Sequence, residues 1–162
     1  TMTEYTSGLI TGFSWKNCDF SIQWTGAWNV DRMLDEFRRP LGDTNEKGLL
    51  LYQYDTTWRS SADTFTAKFP RTSSLHASNN YAGSDLYLIN ASYLRLKSVE
   101  IGYNFNFPFM KKLKMDNCRL YVNGYNLITI TGFKWGDPES RQSSRPNYPL
   151  TRVFNIGLKL GF

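Results

Sequence analysis

Polar and apolar residues alternate with a period of two over most of the chain, which is the signature of strands with two unlike faces. Leu9, Thr11, Phe13 and Trp15 alternate with Gly8, Ile10, Gly12, Ser14 and Lys16. After a tight turn expected at Asn17-Cys18, Phe20, Ile22, Trp24, Gly26 and Trp28 alternate with Asp19, Ser21, Gln23 and Thr25. A third alternation sets Val99, Ile101, Tyr103 and Phe105 against Ser98, Glu100, Gly102 and Asn104. Upstream, Leu94 and Leu96 are out of phase with it. Either a bulge lies near Lys97, or the two faces exchange roles there. A fourth strand is expected over Arg119–Ile128, although Asn123-Gly124 also suits a two-residue hairpin turn. The cleanest alternation is the last, with Phe154, Ile156, Leu158, Leu160 and Phe162 on one face.

Helical spacing is scarce. Val30, Met33, Leu34 and Phe37 fit i, i+3, i+4, i+7, with Asn29 as cap and Pro40 as stop, and predict a short helix over Val30–Arg39. Residues 40–88 keep no long period. They hold Pro, Gly, Ser, Thr and Asn in clusters, and a compact domain rarely carries so long an irregular loop unless the loop is functional.

The strands are long. Four of the five, taken over about 8–16, 19–28, 93–105, 119–128 and 152–162, run to about 9–11 residues, the length a tilted strand needs to cross a hydrocarbon core. Connections also alternate between short and long, as membrane barrels do with periplasmic turns and extracellular loops. Loops over about 30–90 and 132–150 fall on the outer side. The connection over 106–117, which carries Lys111, Lys112 and Lys114, falls on the inner side as a solvated turn. Aromatics Trp15, Phe20, Trp28, Tyr103 and Phe105 lie near strand ends on the apolar faces, where membrane-interface girdles form.

The 162 residues suit one ordinary domain, and 41% are hydrophobic, so a disordered chain is excluded. No uninterrupted apolar run is longer than that of Leu49–Tyr52, so no helix crosses a membrane. The net charge of +5 is scattered and makes a weak case for nucleic acid. A single histidine, His76, excludes any dyad or metal site that needs two. Cys18 and Cys118 start two strands separated by a third, about 9–10 Å apart, and are expected as free thiols. Asp137 and Glu139 fall short of the about 6–8 oxygens of a Ca²⁺ site, and a solvated turn is the plainer reading. No metal, cofactor or catalytic set is expected. Asn90-Ala-Ser is a sequon of no consequence in a bacterial barrel.

Five strands that enter on one side and leave on the other cannot close, and open edges in lipid are not viable. The expectation is therefore the last strands of a larger barrel. The chief rival is a soluble β-sandwich that stacks sugars on its Trp and Tyr residues. A small enzyme has the weakest support, with no nucleophile motif or phosphate loop.

Several segments resemble the C-terminal region of SusC/RagA-type TonB-linked outer-membrane proteins of Bacteroidota. They are Asn90–Phe105 (NASYLRLKSVEIGYNF), Cys118–Thr131 (CRLYVNGYNLITIT), Gly136–Glu139 (GDPE) and Tyr148–Phe162 (YPLTRVFNIGLKLGF). Trp58-Arg59 followed by Phe69-Pro70-Arg71 is similar to the Trp…Pro-Arg stretch in the family's preceding loop, with a less typical middle. The close likeness covers about residues 90–162.

The resemblance implies an all-β fold: about five C-terminal antiparallel strands of a large plugged transmembrane β-barrel of 22 strands, with long extracellular loops and one short loop helix. It implies bacterial outer-membrane TonB-dependent import of an oligosaccharide or peptide, with no enzymatic activity. The implied partners are a SusD-like surface lipoprotein, TonB-ExbB-ExbD reached through an N-terminal region outside these residues, outer-membrane lipid and the nutrient, but no nucleic acid. It implies that Asn123-Gly124 lies within one continuous strand. It further implies a barrel-assembly signal on Phe154, Ile156, Leu158, Leu160 and Phe162. Trp58, Trp135 and Tyr148 are candidate contacts to ligand or lid, with ordinary loop packing as the plainer role.

Overall fold

The computed structural model describes residues 4–38, 51–74, 79–106, 108, 115–139 and 150–161. Its strands are β1 (Tyr5–Trp15), β2 (Cys18–Trp28), β3 (Asp31–Met33), β4 (Leu88–Asn90), β5 (Tyr93–Phe105), β6 (Asn117–Thr131) and β7 (Val153–Gly161). One α-helix, α1 (Leu51–Thr56), accompanies several single turns of 3₁₀ helix. The chain divides into a sheet unit, residues 2–30 and 90–162, and a loop unit, residues 31–89.

The sheet unit is a single antiparallel sheet in the order β1-β2-β5-β6-β7. It is open, with β1 and β7 at its edges. The β1–β2 turn is Lys16-Asn17, with Lys16 at φ +54°, because Trp15 and Cys18 are already paired. That is one residue earlier than the alternation suggested. The Asn104 N–H donates to the Asn17 carbonyl at 2.7 Å and fixes the turn to β5.

The phase change upstream of Val99 is a bulge. Val99 faces Ile22 and Leu96 faces Trp24, so Lys97 is the extra residue and both halves keep one apolar face. On the other side of β5 the same position meets two residues: Ser98 pairs with Tyr125 and Leu96 with Ile128. Asn126, one of the pair between them, takes φ +55°, a conformation Asn tolerates better than most residues. Bulges of this kind bend a strand without losing register beyond them. β6 passes straight through Asn123-Gly124, which pair with Glu100 and Val99 on one side and Asn155 and Phe154 on the other. The hairpin reading fails because both neighbours supply a full ladder there.

The helix expected over Val30–Arg39 is replaced by β3 and a 3₁₀ turn over Asp35–Arg38. The reason lies in the backbone partners. Asn29 turns at φ +55°, the Val30 carbonyl accepts from the Ala91 N–H at 2.7 Å, and the Leu34 N–H donates to the Tyr87 carbonyl at 2.9 Å. A helix would have needed those groups internally. Val30 and Leu34 are still buried, so their spacing reported burial rather than helix. Pro40, the expected stop, lies outside the described residues.

The loop unit owes its order to aromatic packing rather than to periodicity. Tyr87, 1% exposed, stacks on Phe69 at 5.8 Å between ring centres, and Tyr52 meets Phe69 edge-on at 6.2 Å. Such pairs add about 0.5–1.5 kcal/mol beyond burial. Thr57 bridges to Phe69, and the Trp58 N–H donates to the Phe69 carbonyl at 2.9 Å. Asp63 accepts from the Arg59 and Ser60 N–H groups, both at 3.1 Å, with the Arg59 guanidinium 3.5 Å away. Desolvation works to raise the Asp63 pKa, but the two amides and the guanidinium outweigh it and hold the carboxyl below its ordinary value.

Candidate functional site: two faces of one sheet

Directly opposed residues of antiparallel strands point to the same side, so the register assigns every side chain to a face. One face carries Leu9, Phe13, Ile22, Trp24, Ile101, Val122, Leu120, Ile128 and Ile130. On β7 it carries Phe154, Ile156, Leu158 and Leu160, of which Phe154 and Ile156 are 71% and 74% exposed. Soluble monomers rarely expose contiguous apolar patches above about 300–600 Å², and this one runs across five strands.

Aromatics gather at both ends of that face. At the Lys16-Asn17 end, Trp15, Cys18 and Tyr103 lie in one row, with Phe105 beside Tyr103 at 4.8 Å between ring centres. Phe20 and Phe13 lie just inside it, 5.4 Å apart. The Lys16 ammonium sits over the Trp15 ring at 4.7 Å. At the other end Tyr5 opposes Trp28. The 11 residues of β1 join the rows; at about 3.3 Å per residue and a tilt of about 45° the separation is about 23 Å. An apolar barrel band is about 25 Å tall.

The opposite face is polar and internally bonded. Arg119 pairs with Asp19 and, at 2.8 Å, with Glu100. Asn104 donates to Asp19 at 3.4 Å, Asn123 to Glu100 at 3.3 Å, and Asn155 to Asn123 at 3.0 Å. The network thus ties β2, β5, β6 and β7 together. Gly102 lies under the guanidinium, where a Cβ would meet Arg119 Nε at 2.6 Å and Asp19 Oδ1 at 2.7 Å. Gly157 likewise lies under the Tyr121 ring. These two glycines let large polar side chains lie flat on the sheet. Ile10 and Val153 are large apolar exceptions on this face.

At the far end of the same face, beyond the bulge, stands Arg95. Its side chain is 3% exposed. Its Nε donates to Thr129 Oγ1 at 3.1 Å, Nη1 pairs with Glu139 at 2.6 Å, and Nη2 pairs with Asp137. The Tyr93 ring lies 5.3 Å from the guanidinium carbon. The expectation of a solvated turn at Asp137 and Glu139 is corrected in part: Glu139 stays 45% exposed, but both carboxylates pair with Arg95, a cation whose burial would be costly without partners. Among the described residues no group of three His, Cys, Asp or Glu is arranged to hold a metal ion.

Cys18 and Cys118 are free thiols, each paired with β5 from opposite sides. Trp58 is half-buried in the loop unit, and Trp135 is half-buried in the sheet unit. Tyr148, Phe162, His76 and Lys111–Lys114 lie outside the described residues. Sequence reasoning passed over Arg95, Arg119, Asp19 and Glu100 as individuals. Their signal was a charge of each sign at the polar positions of neighbouring strands.

No family model matches the sequence. Over 89 residues, 47% of the chain, it is 37% identical to TonB-dependent receptor P3 of Formosa agariphila. Over 157 residues, 96% of the chain, it is 27% identical to TonB-dependent receptor SusC of Bacteroides thetaiotaomicron. It spans 9% and 15% of those relatives. Among solved structures it is similar to the RagAB peptide importer in its open-open state, at a TM-score of 0.71 and 22% identity, covering 97% of this chain and 17% of that one.

The sheet, with one apolar and one polar face, is wall from a β-barrel. The chain is similar in sequence to TonB-dependent receptors that include SusC, and in fold to a segment of the RagAB importer.

Proposed function

We propose that the chain supplies the C-terminal wall of a large plugged outer-membrane barrel that imports a nutrient, such as an oligosaccharide or peptide, by TonB-dependent transport. The observation that carries this reading is the pairing of an exposed apolar face, rimmed by aromatics at both ends, with a charged opposite face whose side chains are linked by ion pairs and hydrogen bonds. In water the apolar face would be a large liability. Against lipid each large side chain recovers about 1.5–3 kcal/mol. Trp15, Phe20, Trp28, Tyr103 and Phe105 then sit at the two headgroup levels, and the Arg119 network lines the interior.

In this reading Phe154, Ile156, Leu158 and Leu160 face lipid and, with Phe162, form the assembly signal. The outer loops carry Trp58, Trp135 and Tyr148 towards the nutrient or a SusD-like lipoprotein, and a region outside these residues engages TonB-ExbB-ExbD. The wall itself has no catalytic role. The soluble sandwich has no support from the sheet, whose apolar face stays exposed.

The test is a blot of the source cell's fractions with an antibody raised to this segment. A band several times heavier than 18.8 kDa, in the outer membrane and released by detergent, is expected. A band in the soluble fraction would overturn the reading.

A further inference from the structure

We propose that Arg95 is a positioning residue that clamps the segment leaving β6, residues 131–139, onto the polar face of the sheet. The segment is held at several points, and Arg95 is one that reaches its far end. At its start Thr131 Oγ1 donates to the Ser92 carbonyl at 2.8 Å and accepts from the Phe133 N–H at 3.0 Å. Phe133 is buried at 7% exposure. The chain then turns at Gly136, φ +122°. Beyond the turn, Asp137 accepts from the Glu139 N–H at 3.0 Å, which sets both carboxylates towards the same cation.

Arg95 meets them with separate nitrogens and keeps its third contact on Thr129, its neighbour across the ladder. The guanidinium fork suits two carboxylates in a way a lysine ammonium does not. The bulge at Lys97 lies two residues from Arg95, and bulges re-aim the side chains beside them. The strand ladder does not need Arg95, since its backbone pairs with Thr25 and Thr129 whatever the side chain. The buried charge is therefore explained by what it holds: a loop base carrying Trp135 at a fixed place on the rim of the sheet. This goes beyond the transport reading and does not depend on what is transported.

The test is hydrogen–deuterium exchange on the full-length protein, comparing Arg95→Ala, Arg95→Lys, Asp137→Asn with Glu139→Gln, and the charge swap R95D/D137R. Removing one partner of a buried pair leaves the other uncompensated. Exchange over residues 132–139 should quicken about tenfold or more in Arg95→Ala, with residues 98–105 of β5 unchanged. Arg95→Lys should fall between, and the swap should recover part of the protection. Should Arg95→Ala fail to assemble, the double carboxylate variant reads the same contact from the loop side. Unchanged exchange over 132–139 in an assembled variant would overturn the clamp. So would an increase spread evenly over β5 and β6, which would make Arg95 a support of the strands.

Discussion

Single residues in this chain are informative where they break a local rule. Arg95 is a charge with almost no exposure, and it is tolerated because two carboxylates and a hydroxyl meet it. Gly102 and Gly157 interrupt good strand sequence because a guanidinium and a phenol ring occupy the space of their missing Cβ atoms. Asp63 is the case with a pH dependence. Its folded pKa is lowered, so its contribution to the Arg59–Asp63 turn is complete above the unfolded carboxylate value and is lost as pH falls through the lowered one. Amide protection of Ser60 should therefore exceed that of an Asp63→Asn variant at neutral pH. The two should converge in acid. A difference that persisted below the carboxylate range would show that the charge is not what holds the turn.

At the scale of elements, the long strands were legible because period two survives wherever a strand has two unlike faces. β5 was placed from its alternation alone, and even its phase change pointed to Lys97. β6 extends to Thr131, beyond the expected Ile128, because Thr129 and Thr131 are polar on the polar face while Ile130 keeps the apolar one. The short elements were not legible. β3 looked helical because Val30 and Leu34 are both buried, and only the distant partners at Tyr87 and Ala91 decide between helix and strand. The clamp was invisible for the same reason: Arg95 and Glu139 are 44 positions apart, and no spacing rule joins them.

The two faces of β7 give a direct prediction. Ile156→Arg, on the apolar face, should destabilise the assembled barrel by up to about 2–4 kcal/mol. Asn155→Arg, on the polar face, should cost far less. Detergent-resistant folding followed by heat-modified gel migration would separate them. Equal effects would mean that β7 does not divide lipid from interior.

For the molecule as a whole, the account rests on the sheet having a lipid side and a wet side. Composition alone hides those two sides, because alternating strands and polar loops together give the whole chain a mean hydropathy of −0.46. Helix-based reasoning is equally blind, since no helix among the described residues is long and apolar enough to cross a membrane, while 9- to 15-residue strands are. The most direct measurement is a nitroxide scan of β7, residues 153–160, in the full-length protein in lipid bilayers, with Cys18 and Cys118 replaced by serine. The account predicts oxygen accessibility that peaks at Phe154, Ile156 and Leu158, alternating with polar-reagent accessibility or protein contact at Asn155, Gly157 and Lys159. Accessibility to the polar reagent at every position, with no alternation, would contradict it.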